Sequence, residues 1–118
     1  MWFLAHELAN KPLQVIVNGT QVGTFQGPGE DSTTVRVSLY TGKAYRTDDV
    51  HIRHVQLFRP KHKKDNVIFV SGDHIGKSGV VKRIGDSREP SWSIKMPDSS
   101  ELLASIHELG FCRKNRLA

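Results

Sequence analysis

The stretch that decides the fold is residues 65–84, which read DNVIFVSGDHIGKSGVVKRI. Residues 67–70 are β-branched or aromatic, a loop with several glycines follows, and residues 79–84 form a second run rich in β-branched residues. Strands favour such side chains, and glycine tolerates the positive φ angles of tight loops. The stretch therefore predicts two strands joined by a loop. Alternation is expected to turn Val67, Phe69, Val80 and Ile84 toward a core and Lys77, Lys82 and Arg83 toward solvent.

A similar pattern begins about 53 residues earlier, where residues 13–17 form another β-branched run that ends at Asn18-Gly19. Residues 33–40 alternate as a half-buried strand does, and Thr41-Gly42 predicts a hairpin into residues 43–47. Each half of the chain then holds five short strands. The sequence therefore predicts an all-β chain of two small five-stranded barrels in tandem.

Four segments are expected along the chain. Residues 1–11 form a lead-in that packs on the first barrel through Trp2, Phe3, Leu4 and Leu8. Residues 12–60 form the first barrel, residues 61–64 a basic linker that follows the strand-breaking Pro60, and residues 65–115 the second barrel.

Residues 99–109 fit two different structures. Leu102, Leu103, Ile106 and Leu109 have helical spacing, with Asp98 as a cap and Gly110 as a stop. The equivalent end of the first unit reads instead as a strand and a turn. That match favours a strand plus one turn over a helix, which stays open as the alternative.

Composition limits the classes to which the chain belongs. Hydrophobic residues make up 37% and charged residues 25% of its 118 residues, which is typical of a folded chain with a small core. No stretch reaches the roughly 18 consecutive apolar residues of a membrane span, and the start lacks the regions of a signal peptide. The single cysteine, Cys112, excludes an internal disulfide framework and is expected to be a buried structural thiol. We expect a soluble, non-secreted protein or fragment with no membrane partner.

Gly72, Gly76 and Gly79 stand where the loop glycines of the KOW motif would, and residues 65–84 resemble that family. The tandem arrangement is similar to the SH3-like, or Tudor-like, KOW modules of eukaryotic NusG-type transcription elongation factors. Spliceosomal G-patch and KOW proteins have a similar tandem ending. The glycine spacing is degenerate in the first unit. The resemblance implies SH3-like barrels, no catalysis, a nuclear location, and binding to RNA polymerase or associated factors, to RNA or to DNA.

Basic residues are the candidate contacts for nucleic acid. The net charge is +5, and residues 61–118 hold 11 Lys and Arg against 7 Asp and Glu. Such side chains supply most of the affinity for nucleic-acid phosphates. The resemblance implies contacts by Lys77, Lys82 and Arg83, in the motif's loop and following strand. Charge alone adds Lys61, Lys63 and Lys64 in the linker and Arg113 and Lys114 in the tail.

Other chemistry has less support in the sequence. Residues 72–78 nearly match a phosphate-binding P-loop, but three residues instead of four separate its glycines, and β-branched residues follow where a helix is needed. His51 and His54 have a spacing found among metal ligands, without the further ligands that a closed zinc site needs. No serine, histidine and acid set lies in a nucleophile motif. We expect no enzyme activity, cofactor, metal or small-molecule substrate.

Aromatic residues have two interpretations. Tyr40, Tyr45, Phe69 and Trp92 have rings that can stack on bases, but Phe69 and Trp92 lie in strand runs and are expected in a core. The sequence thus predicts a non-catalytic binding module for RNA or DNA. The alternative is a protein-docking module on RNA polymerase or a spliceosomal partner, which uses strand edges and apolar loop residues such as Ile75. A cage for methylated ligands is a third hypothesis.

Overall fold

The computed structural model describes residues 6–9 and 11–112. These residues form ten strands in two five-stranded antiparallel sheets, with three 3₁₀ turns and no α-helix in the part described. The chain divides into two compact units between Phe58 and Arg59. The predicted all-β class is confirmed.

The first unit contains strands β1 (Gln14–Val17), β2 (Gln21–Pro28), β3 (Thr34–Tyr40), β4 (Tyr45–His51) and β5 (Val55–Leu57). Their order in the sheet is β4-β3-β2-β1-β5. Four strands therefore form a meander, and the fifth returns to pair with the first. Two 3₁₀ turns, His6–Leu8 and Ile52–His54, precede β1 and β5.

Turn chemistry and alternation explain the first unit. Asn18 and Gly19 join β1 to β2 with φ angles of 53° and 77°, a region that Asn and Gly adopt more readily than other residues. Buried and exposed residues alternate along β3, as the sequence predicts. The core contains Leu8, Leu13, Val15, Val17, Phe25, Val35, Val37, Leu39 and Leu57. Leu8, which the sequence expects to pack on the first barrel, is completely buried, whereas Trp2, Phe3 and Leu4 lie outside the described residues.

The second unit contains strands β6 (Asn66–Phe69), β7 (Ser78–Arg83), β8 (Trp92–Lys95), β9 (Glu101–Ala104) and β10 (Leu109–Cys112). Their order is β10-β6-β7-β8-β9, so a meander of four strands is again completed by a fifth that pairs with the first. The core contains Val67, Phe69, Val81, Trp92, Ile94, Met96, Ala104 and Leu109. Phe69 and Trp92 pack in this core, as predicted.

One residue of β7 faces the opposite side from the prediction. Val81 is buried, whereas Val80 is 37% exposed, so the expectation that Val80 faces the core is wrong. Gly79 takes the inward position before Val81. It lies so close to the core that a Cβ added to it would be only 2.6 Å from Cγ2 of Ile94. A register shift between Val81 and Arg83 then lets Ile84 pack partly against the core.

Residues 99–109 form a strand and one turn, which confirms the favoured prediction. β9 pairs with β8, and the 3₁₀ turn Ile106–Glu108 follows. Two reciprocal hydrogen bonds cap the start of the turn: Ser105 Oγ accepts one from the His107 amide, and the Glu108 carboxylate accepts one from the Ser105 amide. The turn thus begins after Ser105, while Leu102 and Leu103 pair with β8 instead of joining a helix.

The thiol of Cys112 is half-buried on β10. Burial raises its pKa, which disfavours the reactive thiolate. This environment agrees with a structural role, although the side chain is less buried than the sequence predicts.

Neither sheet closes on itself through strand pairing within the described residues. β4 and β5 are the edges of the first sheet, and β9 and β10 are the edges of the second. Among the described residues, each of these four edge strands therefore has a strand partner on one side only.

Candidate nucleic-acid interface

The basic stretch before β6 forms an ordered turn. One carboxylate oxygen of Asp65 accepts hydrogen bonds from the amides of Lys61 and His62, both at 2.9 Å. The Lys64 amide donates to the carbonyl of Val81 at 2.8 Å, and the Val81 amide donates to the carbonyl of Asp65 at 2.9 Å. These bonds attach the turn to β7, so the main chain of its lysines is held beside the second sheet.

The outer face of β7, β8 and β9 supplies the rest of the site. Val80, Lys95 and Glu101 lie opposite one another across the three strands. Lys82, on the same outward phase of β7 as Val80, forms a hydrogen-bonded ion pair with Glu101. Strand pairing therefore brings two lysines and one carboxylate onto one surface.

The turn and the sheet face together border an open groove of about 550 Å³. Its lining residues are Lys63, Lys64, Val80, Val81, Lys82, Lys95, Ser99 and Glu101. Four lysines thus face a single acidic residue. Among the described residues, no carboxylate forms an ion pair with Lys63, Lys64 or Lys95. The groove has a local excess of positive charge and fits an anionic ligand.

Glu101 is the acidic group in this basic surface. Its hydrogen bond to Lys82 and the charge of Lys82 lower the pKa of its carboxyl below the ordinary value of 4.5, and Lys95 adds a smaller effect. The carboxylate therefore stays ionised at neutral pH and offsets one lysine. A ligand phosphate at Lys82 would compete with it.

The sequence-predicted contacts divide into three groups. Lys63, Lys64 and Lys82 line the groove. Lys61 is exposed in the same turn, Lys77 is exposed just before β7, and the half-buried Arg83 forms an ion pair with Glu89 at 3.3 Å. Arg113 and Lys114 lie outside the described residues.

The loop glycines have two structural roles. Gly72 and Gly76 have φ angles of 82° and 88°, and the Gly76 amide donates to the carbonyl of Phe69 at 2.8 Å. Gly79 instead permits the close approach of Ile94 described above. The loop leads directly into β7, so the helix N-terminus that a P-loop requires does not follow it.

Lys95 and Glu101 were not identified from the sequence. The alternation of β8 and β9 marks both as outward-facing, but only the pairing register places them opposite Val80 and next to Lys82. A lysine is ordinary on the outer face of a strand, so the sequence contains no local signal that separates Lys95 from other surface lysines.

The histidine pair spans the end of β4 and the turn that follows it. The rings of His51 and His54 are 6.2 Å apart, and Nδ1 of His51 accepts a hydrogen bond from the Arg53 amide. Within residues 6–9 and 11–112, no group of three or more histidine, cysteine or acidic side chains is arranged to hold a metal ion.

In the same ranges, no helix is long and apolar enough to cross a membrane. No protein-family model matches the chain, and no curated protein has a significantly similar sequence.

Proposed function

We propose that the chain is a non-catalytic binding module for RNA or DNA, built from two SH3-like barrels of the KOW type and belonging to a nuclear transcription-elongation or RNA-processing factor. Two features support the fold assignment. In each unit the fifth strand returns to pair with the first, and a 3₁₀ turn precedes it. That strand order is the one expected of an SH3-like barrel. RNA polymerase or an associated factor is the proposed protein partner.

The observation that carries the proposal is the groove of the second unit. Four lysines approach it from two separate parts of the chain, the turn before β6 and the outer sheet face. When lysines bind the phosphates of a nucleic acid, the counterions of those phosphates are released. This release gives affinity that does not depend on base sequence. Val80 adds apolar area to the floor of the groove and can contact a sugar or the side of a base.

The test is fluorescence anisotropy of end-labelled single-stranded RNA, duplex DNA and an RNA hairpin at two salt concentrations. If three or four phosphates occupy the groove, a fourfold rise in salt should weaken single-strand binding by about 20- to 50-fold. Lys63→Gln/Lys64→Gln removes two charges and should lower the logarithmic salt slope by about 1.4. Lys95→Gln should lower it by about 0.7.

A matched control removes two charges outside the groove. Arg53 and Arg88 are exposed, and neither lines the groove or belongs to the predicted contacts. Arg53→Gln/Arg88→Gln should keep the wild-type slope. Equal loss in both double variants would mean that net charge, and not the groove, determines binding.

One observation favours a second function, protein docking by strand addition. β9 is an open edge of only four residues, and Leu103 on it is 68% exposed. A peptide strand can pair with such an edge and cover the apolar side chain. Ile75, which the sequence suggests for docking, is only partly exposed. Docking would be established instead by two results together. The chain would bind no nucleic acid at low salt, and it would capture an RNA polymerase or spliceosomal subunit in a salt-insensitive way that Leu103→Lys abolishes.

A further inference from the structure

The most exposed aromatic surface of the described chain lies on the first unit, at the hairpin between β3 and β4. Tyr40 and Tyr45 are directly opposite each other in the strand register. Their ring centroids are 5.1 Å apart with an interplanar angle of 55°. The two residues are 55% and 71% exposed. Tyrosine is often partly buried, so two adjacent exposed rings form a surface with apolar area left in water.

Hydrogen bonds within the hairpin hold its backbone and the ring of Tyr40. The Tyr40 hydroxyl donates a hydrogen bond to the carbonyl of Gly42 at 3.0 Å. Both the amide and the hydroxyl of Thr41 donate to the carbonyl of Ala44, each at 2.9 Å. Gly42 takes a φ of 93° that closes the turn. Because the Tyr40 ring is already held by its hydroxyl, a ligand that stacks on it loses little additional conformational entropy.

The charges around the rings select the ligand. Lys43 lies exposed at the tip of the hairpin, and no carboxylate forms an ion pair with it in the described residues. Arg46, next to Tyr45, is neutralised by Asp48 at 2.7 Å. The remaining positive charge repels a methylated ammonium group and attracts a ligand that has a phosphate. An aromatic pair beside a single cation fits a nucleotide within a strand.

We propose that Tyr40 and Tyr45 form a stacking site for an unpaired base of single-stranded RNA or DNA, with the adjoining phosphate at Lys43. The inference rests on the proposed nucleic-acid binding and adds that the first unit selects unpaired strands. Base stacking needs no particular base, so the site has little sequence preference. A duplex keeps its bases stacked internally and cannot use it.

The experiment uses the full chain and three ligands of equal length: single-stranded RNA, single-stranded DNA of the same sequence, and the duplex. Anisotropy gives affinity, and a 2-aminopurine in the single strands reports stacking through fluorescence quenching. Tyr40→Val/Tyr45→Val keeps strand-forming side chains and removes both rings. It should weaken single-strand binding by about 5- to 100-fold and remove the tyrosine-dependent quenching, with duplex binding unchanged.

Two further variants separate stacking from loss of structure. Tyr45→Phe keeps the ring and should bind as the wild type does, whereas Tyr45→Thr removes only the more exposed ring and should lose part of the single-strand affinity. Circular dichroism melting shows whether each variant is folded. The comparison of RNA with DNA shows whether the sugar contributes to recognition.

The possible failures are distinct. If the valine variant binds single strands as the wild type does while Lys63→Gln/Lys64→Gln weakens binding, the stacking site is refuted and the phosphate groove stands. If the variants lose duplex and single-strand affinity equally, the pair is only structural and the inference fails. If the wild type binds no nucleic acid at all, the proposed function fails and the stacking site with it.

Discussion

The two units have the same strand order but different charge arrangements on their sheets. In the first unit, Arg36 on β3 forms an ion pair with Asp49 on β4 at 3.1 Å, and Arg46 forms one with Asp48. In the second unit, the groove holds four lysines and one glutamate. Inward-facing residues determine the shared strand order, while outward-facing residues are free to differ. The proposed phosphate groove therefore lies in the second unit, whereas the first unit pairs two of its arginines with carboxylates and exposes two tyrosines.

The largest expected effect tests whether the two cores are equivalent. Phe25 and Phe69 are each almost completely buried, one in each unit. Phe25→Ala and Phe69→Ala should each destabilise their own unit by about 3–5 kcal/mol, because each leaves a cavity in a small core. Amide hydrogen exchange followed strand by strand measures the loss. If one substitution costs less than about 1 kcal/mol, the two cores are not equivalent.

A second substitution tests a contact at the start of the second unit. The half-buried guanidinium of Arg59 donates to the carbonyls of Leu109 at 2.9 Å and of His107 at 3.2 Å, and its burial lowers its pKa. Arg59→Met keeps most of the side-chain volume but no donor. It should destabilise the second unit by about 1–3 kcal/mol, measured by urea unfolding, since both carbonyls lose a charged donor. The exposed Arg88→Met should stay within about 0.5 kcal/mol of the wild type.

The neighbouring valines of β7 test the corrected strand phase. Val81→Ala empties part of the core and should destabilise the second unit by about 1–2 kcal/mol in the same unfolding assay. Val80→Ala should change stability by less than about 0.5 kcal/mol, because this side chain lies on the groove floor. The reverse order of the two values would restore the phase that the sequence predicts.

How much the sequence predicts depends on whether the signal is local. The strands, the Asn18-Gly19 turn and the burial of Phe69 follow from residue types within a few positions. The phase of β7 does not follow from local residue types. Val80 and Val81 satisfy alternation equally well, and the inward-facing Gly79 has no side chain whose type could indicate which side of the strand is buried. The groove is also non-local: it requires the hydrogen bond from Lys64 to Val81 and the pairing of Val80 with Lys95.

Two acidic residues, one on the fourth strand of each unit, should respond differently to neutralisation. Glu101→Gln removes the carboxylate that competes for Lys82, so it should tighten single-strand binding and raise the logarithmic salt slope by about 0.7. Asp49→Asn also removes one negative charge, but on the first unit, and should leave the slope unchanged. Anisotropy titrations at several salt concentrations give both slopes. Equal changes would show that the whole chain, and not the groove, attracts the ligand.

The smallest expected effect is the acid sensitivity of two loop carboxylates, one in each unit. Hydrogen bonds from the side chain and then the amide of Thr33 lower the pKa of Asp31, and those of Ser100 do the same for Asp98, below the ordinary value of 3.8. A depressed pKa in the folded chain means that the unfolded chain binds protons first as pH falls. The stabilising contribution is therefore complete above the ordinary value and is lost as pH falls through the lower folded pKa. Unfolding midpoints should be measured from pH 7 to pH 2. These two groups should cause no change in the midpoint near neutral pH and a decline below about pH 4. Asp31→Asn and Asp98→Asn should each flatten part of that decline, and a decline centred near pH 6 would require a different titrating group.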